Sequence, residues 1–235
     1  MHSADPRLIC ALDLPTVDQA RNLVTRMDGA VGFYKIGLQL FATGGMDLAR
    51  ALKADGHQIF LDWKLHDIGA TVEKATAALA QSGCDFLTVH ARPQVMQAAM
   101  RGVAGSGLKV LGVTVLTSLD DKDLRADDHS LSAADLVDHR VRQALDCGVD
   151  GVVSSPHEAA RVRVIALAAG RPDFLIVTPG VRPTGADLND QARATTPRQA
   201  LDAGATHLVI GRPITAAADP KAAVQAITRE MAANP

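Results

Sequence analysis

The chain has 235 residues, 47% of them hydrophobic and 21% charged, with 24 Lys and Arg against 26 Asp and Glu for a formal charge of −2. That is apolar material enough for a large core and too little polarity for wholesale disorder. The near-neutral balance gives no general electrostatic reason to hold nucleic acid or an anionic membrane, so the expected partner is a small molecule. No apolar run approaches the roughly 18 residues of a membrane-crossing helix. The N-terminal stretch lacks the charged-then-apolar layout of a signal peptide, and the expected location is the cytoplasm. Cys10, Cys84 and Cys147 stand far apart, with no C-x-x-C and no His beside them at metal-ligand spacing. They read as reduced core thiols.

Along the chain, short apolar runs rich in β-branched residues alternate with longer stretches whose apolar residues recur at three and four. Strand 8–12 leads to helix 17–27, strand 32–36 to helix 38–54, strand 58–64 to helix 71–81, and strand 86–90 to helix 93–103. Strand 109–116 is followed by an irregular acidic segment, 118–130, read as a solvated loop, and then by helix 133–147. Strand 151–154 leads to helix 156–169, strand 174–178 to helix 197–203, and strand 207–210 to helix 220–233. Gly56, Gly83, Gly148 and Gly204 each stand just after a helix and before a strand, where a left-handed residue is relieved by lacking a Cβ. Strands that are apolar on both faces and joined by helices make a parallel sheet covered on both sides. Eight such units in this length fit a single-domain (β/α)8 TIM barrel over 1–235 better than an open doubly wound sheet.

On such a barrel the chemistry collects where strands end. The polar residues closing the apolar runs are Asp13, Lys35, Asp62 and Lys64, His90, Thr117 and Ser118, Ser154 and Ser155, Arg182, and Gly211-Arg212. Lysine is scarce, seven in the chain, yet two of the seven fall at strand ends, where a merely solubilising lysine has no reason to be. The sharpest local signal is Asp62-Trp63-Lys64-Leu65-His66-Asp67: Asp62 and Lys64 share a strand face, and Asp67 follows in the turn. One reading is an ion-pair lattice tying the third strand to its neighbours. The other is catalytic, because burying such ions costs several kcal/mol each unless pairing is excellent. A lysine between carboxylates is held charged and serves as a proton donor for a developing carbanion, while a carboxylate beside it repels a substrate carboxylate. His66 is expected to brace the turn by a hydrogen bond, and His90 to line the pocket without acid–base work.

A second signal lies in the last quarter. Thr178-Pro179-Gly180-Val181-Arg182 ends the seventh strand, Asp190-Gln191-Ala192-Arg193 follows in a polar loop, and Val209-Ile210-Gly211-Arg212 ends the eighth. Loops after strands seven and eight of these barrels commonly grip phosphate, with Gly admitting close backbone approach and Arg supplying a bidentate fork. A phosphorylated ligand is implied.

With both ends in hand, the sequence resembles the orotidine 5′-monophosphate decarboxylase family. The likeness runs in order through Ala11-Leu12-Asp13, Tyr34-Lys35-Ile36-Gly37, Asp62-Trp63-Lys64-Leu65-His66-Asp67-Ile68, Thr71, Val113-Thr114-Val115-Leu116-Thr117-Ser118, Pro179-Gly180-Val181-Arg182-Pro183, Asp190-Gln191, and Ile210-Gly211-Arg212-Pro213-Ile214. The resemblance implies decarboxylation of orotidine 5′-monophosphate to UMP and CO2 without metal or organic cofactor. It implies that Lys64 protonates C6 of the pyrimidine, that Asp62 faces the departing carboxylate, and that Lys35 completes the array and with Asp13 meets the ribose. Thr117 matches the residue at the base; Gln191, Gly211 and Arg212 match the phosphate grip, with Arg182 close by. A homodimer with shared sites is implied as well, Asp67 and Thr71 reaching into the partner's. The chain departs from the family where Trp63 replaces the usual Leu and Gly69-Ala70 the common Pro-Asn. Strand alternation turns Trp63 away from the substrate, and Gly69-Ala70 loosens the turn carrying Asp67 and Thr71.

Other readings share parts of this pattern. A metal-dependent 3-keto-L-gulonate 6-phosphate decarboxylase would share the D-x-K-x-x-D and the phosphate end, but not the Leu116-Thr117-Ser118 and Asp190-Gln191 matches. A phosphosugar or amino-acid-pathway isomerase on the same barrel would explain the phosphate grip yet leave Asp62, Lys64 and Asp67 unused. A non-catalytic ligand-binding barrel would not need charged residues at every expected strand end.

Overall fold

Eight parallel strands whose side chains are apolar on both faces are shielded on both when they close on one another and helices wrap the closure. The computed structural model, which describes residues 4–184 and 195–233, shows that arrangement. Strands β1 (Leu8–Ala11), β2 (Phe33–Gly37), β3 (Gln58–Leu65), β4 (Phe86–His90), β5 (Lys109–Val113), β6 (Gly151–Val153), β7 (Leu175–Pro179) and β8 (His207–Ile210) run parallel in chain order. β1 pairs with β8, closing the barrel.

Helix α1 (Val17–Met27) follows β1; α2 (Leu38–Phe41) and α3 (Gly45–Ala54) follow β2; α4 (Gly69–Ala80) and α5 (Pro93–Gly102) follow β3 and β4. After β5 come α6 (Asp121–Ala126) and α7 (Ala133–Asp146), then α8 (Ala159–Ala168), α9 (Pro197–Asp202), α10 (Arg212–Thr215) and α11 (Pro220–Ala232).

Alternation along the strands sorts the apolar residues into two layers. Ile9, Ala11, Phe33, Phe60, Phe86, Leu111, Val177 and Val209 fill the barrel. Leu8, Cys10, Tyr34, Ile36, Ile59, Leu61 and Trp63 belong to the larger layer, which also takes in the helices' apolar stripes. Phe33 and Phe60 meet Phe86 edge to face at 5.0 and 5.9 Å between centroids, and the His207 ring, 5.2 Å from Phe86, packs at the strands' N-terminal end of the barrel. Chemistry is thereby confined to the opposite end. The three cysteines are free thiols, Cys10 and Cys84 buried and Cys147 half-buried.

The glycine turns are left-handed as expected, with φ of 87, 72, 73 and 103° at Gly56, Gly83, Gly148 and Gly204. At Gly204 space is short too, since a Cβ would come within 2.9 Å of the Arg163 side chain. Three expectations need correction. The helix expected over 38–54 is two, broken at Gly44 with φ 105°, which a periodicity of three and four does not reveal. The acidic segment 118–130 is not wholly loop: α6 forms there because Asp120 and Asp123 make a reciprocal capping box. Strand β5 stops at Val113 rather than residue 116, where its pairing with β6 ends at Val153; the next carbonyl, that of Thr114, accepts from the Arg140 guanidinium.

Candidate active site

The charged site is built by three neighbouring strand ends. Lys35 is two residues from Phe33 on β2, and Asp62 is two from Phe60 on β3, so both aim inward from the barrel's filled centre toward its open end. Asp13 follows β1. Lys35 Nζ lies 2.8 Å from Asp13 Oδ1 and 3.4 Å from Asp62 Oδ2, and Lys64 Nζ lies 2.8 Å from Asp62 Oδ1. The signs alternate along this chain of four, so every buried charge has an opposite neighbour, which is what makes its burial tolerable.

Burial works against the Lys35 ammonium, but Asp62 and Asp13 outweigh it and hold its pKa above the ordinary lysine value. Burial works against the Asp62 carboxylate as well, and Lys35 and Lys64 bring its pKa below the usual carboxylate range. Both groups are charged at neutral pH. The array does tie β2 to β3, as a lattice would, but all four members also line one cavity.

That cavity has a volume of about 450 Å³. Asp13, Lys35, Asp62 and Lys64 form one part of its wall; Arg182, Gly211 and Arg212, from the ends of β7 and β8, form another; Thr117 lies on the β5 side. Arg182 is 7% exposed. The site therefore joins a region of alternating charge to a region of guanidinium and glycine. Gln191, with Asp190 and Arg193, lies outside the described residues.

Other candidates fall elsewhere. Asp67 and Thr71 are exposed and do not line this cavity; the Asp67 carboxylate accepts a hydrogen bond from the Ile68 N–H at 2.6 Å, just before α4. His66 does not brace the turn by a hydrogen bond to any described residue; its ring instead lies 5.4 Å from that of His90. His90 is not part of the cavity lining. Burial, with His66, Arg140 and Lys64 nearby, holds its pKa below the usual histidine value. Ser118, Ser154 and Ser155 likewise stand apart from the cavity. Trp63 does turn away from the cavity, 7% exposed, against Phe41 of α2 with 4.5 Å between centroids.

Two residues carry no mark in the amino-acid order: Thr215, which lines the cavity at the end of α10, and Thr88. Thr88, fully buried on β4, donates to Asp62 Oδ1 at 3.0 Å and accepts from the Lys64 N–H at 2.9 Å. Its only sequence signal is its place midway between Phe86 and His90 on one strand face. Among the described residues no group of three or more His, Cys, Asp or Glu is arranged to hold a metal ion. No described helix is long and apolar enough to cross a membrane.

The chain is similar along nearly its whole length to known proteins. An orotidine 5'-phosphate decarboxylase of Caulobacter vibrioides (strain NA1000 / CB15N) is 66% identical over 230 residues, covering 98% of this chain and 99% of that protein. One from Rhodopseudomonas palustris (strain BisB5) is 51% identical over 236 residues, covering 99% of each. The crystal structure of orotidine 5'-phosphate decarboxylase from Lactobacillus acidophilus superposes with a TM-score of 0.82 at 38% identity, covering 97% of this chain and all of that one. The sequence pattern of one family matches residues 6–227, and with relatives this similar along their whole length the chain belongs to the Orotidine 5'-phosphate decarboxylase / HUMPS family.

Proposed function

We propose that the chain, acting over its whole length as one catalytic unit, converts orotidine 5′-monophosphate to UMP and CO2 without a cofactor, with Lys64 as the proton donor. Family membership makes it a carboxy-lyase of pyrimidine biosynthesis; the roles of its residues are our reading. Asp62 is held anionic where the substrate carboxylate would lie, and two like charges in a poorly solvated site raise the energy of the bound acid. As the C6–carboxylate bond breaks, CO2 leaves and the electron pair stays on C6. The Lys64 ammonium stabilises that charge and then donates its proton there, and solvent restores it. Lys35 and Asp13 hold the ribose, and Thr117 meets the base. Arg212, Gly211, Gln191 and Arg182 grip the phosphate, whose binding energy is used at the distant reacting carbon.

We further propose a homodimer with shared sites, working in the cytoplasm, in which Asp67 and Thr71 complete the partner's cavity. What supports this is their exposure beyond β3, away from their own cavity.

The observation carrying the reading is that an alternating row of two carboxylates and two ammoniums shares one cavity with Arg182 and Arg212. The test is loss of orotidine 5′-monophosphate absorbance with purified protein in excess chelator. Steady turnover is expected; activity that vanishes in chelator and returns with a divalent cation would overturn the cofactor-free mechanism.

A further inference from the structure

We infer that Thr88 is a positioning residue for the reaction: its single hydroxyl holds the backbone that presents Lys64 and, in the same act, fixes the carboxylate of Asp62. This rests on the roles of Lys64 and Asp62 proposed above. An amide can only donate and a carboxylate only accept, so the Thr88 hydroxyl must take the Lys64 N–H, at 2.9 Å, and give its own proton to Asp62 Oδ1, at 3.0 Å. Asp62 thus has both oxygens engaged. Oδ1 meets Thr88 and the Lys64 ammonium, and Oδ2 faces Lys35 at 3.4 Å.

The backbone at Lys64 needs such support. Its φ of 50° is left-handed, which costs a residue with a Cβ about 1 kcal/mol or more. The turn-over occurs where the pairing of β3 with β4 slips: Leu61 pairs with Leu87 but Leu65 with Val89, so four steps on β3 match two on β4. Thr88 lies between those two partners on β4. It sits behind the cavity wall and not in it, so a change there leaves the lining chemically intact. A Thr-to-Val exchange removes the hydroxyl while keeping the branched shape.

The experiment compares Thr88→Val and Thr88→Ser with the native enzyme across pH, with Thr88→Ala as a second hydroxyl deletion should the valine variant not fold, and with Lys64→Ala alongside. Removing the hydroxyl is expected to lower kcat about tenfold while KM changes less than about twofold, since the phosphate end is untouched. The acid limb of kcat/KM should move to higher pH. Asp62 will have lost one donor, while Lys35 on β2, Lys64 on its own strand and Asp13 beyond Lys35 remain. Thr88→Ser, which keeps the hydroxyl, should restore both kcat and the acid limb. Native kcat with an unmoved limb in the deletion variants, or a serine variant as impaired as they are, would overturn the inference while Lys64→Ala stays inactive. A fully active Lys64→Ala enzyme would overturn the proposed chemistry, and this inference with it.

Discussion

Lys64 touches Asp62 at 2.8 Å, lines the cavity and sits on a left-handed backbone where β3 slips against β4. Lys64→Ala is expected to fold and to bind UMP within about tenfold of native affinity, because in the proposed reading Arg182 and Arg212 hold the phosphate separately. Its kcat should fall further than the 10²–10⁴ typical of lost acid catalysis alone, since both the proton and the stabilising charge disappear. Rate measurement with saturating substrate decides this; more than about a tenth of native kcat remaining would place the donor elsewhere. Arg212 offers the complementary experiment. Arg212→Ala should lower kcat/KM by about 10² or more, the loss of a charge-assisted phosphate contact. With unphosphorylated orotidine the native and variant enzymes should be nearly equal. A variant equally impaired on both substrates would mean that Arg212 supports the fold and not the phosphate.

At the scale of elements, α4 and α5 pack so closely that a single added methyl has no room between them. A Cβ on Gly102 of α5 would collide with Thr76 Oγ1 and the Glu73 carbonyl of α4. Thr76 itself is fully buried and hydrogen-bonded to the Val72 carbonyl at 2.9 Å, so it cannot swing aside without breaking that bond. Gly102→Ala should therefore cost about 1–3 kcal/mol in urea unfolding through overpacking, despite alanine's better helix propensity. Because Asp67 and Thr71 lie just before and on the first turn of α4, activity should fall with stability. A stabilised Gly102→Ala protein would show that the two helices separate freely.

The whole molecule adds two dependences that no single element carries. His207 is packed against Phe86 and Phe33, and burial, with Lys109 nearby, pushes its pKa down to about 4. The unfolded chain takes up this proton near pH 6.5, while the folded chain resists until about pH 4. Stability is thus complete above the unfolded value and falls as the pH drops through that window, by roughly 2 kcal/mol allowing for partial exposure. Unfolding titrations at neutral and mildly acid pH should show a smaller acid loss for His207→Phe than for the native chain; identical losses would remove the histidine from the account. The second dependence belongs to the proposed homodimer. Lys64→Ala and Asp67→Ala chains should each be nearly inactive, yet a mixed dimer holds one site with an intact Lys64 and an intact Asp67 from the other chain. Equal re-assortment makes half the dimers mixed, so activity should return to about a quarter of native. Heterodimers that form and stay inactive would put Asp67 in its own subunit's service.

Much of this was legible in the amino-acid order because it depends on local rules. A period of two places Asp62 and Lys64 on one face and Trp63 on the other, and a helix ending before a strand needs a residue such as Gly204 that tolerates φ of 103°. Alternating short strands and helices, apolar on the faces they share, leave a closed parallel barrel as the favoured solution, and with it the rule that strand ends carry the chemistry. What only the tertiary structure decided depends on residues distant in sequence. The end of β5 where its pairing with β6 stops and the slip of β3 against β4 arise from pairing, not from propensity. So does the part played by Thr88, 24 residues from Lys64, an ordinary strand threonine until the slip brings the Lys64 N–H to its hydroxyl. The residue types at the site follow from the chemistry of the charges, but which atoms touch is set by closure of the barrel, because only closure brings the ends of β1, β2 and β3 to face those of β7 and β8 across one cavity.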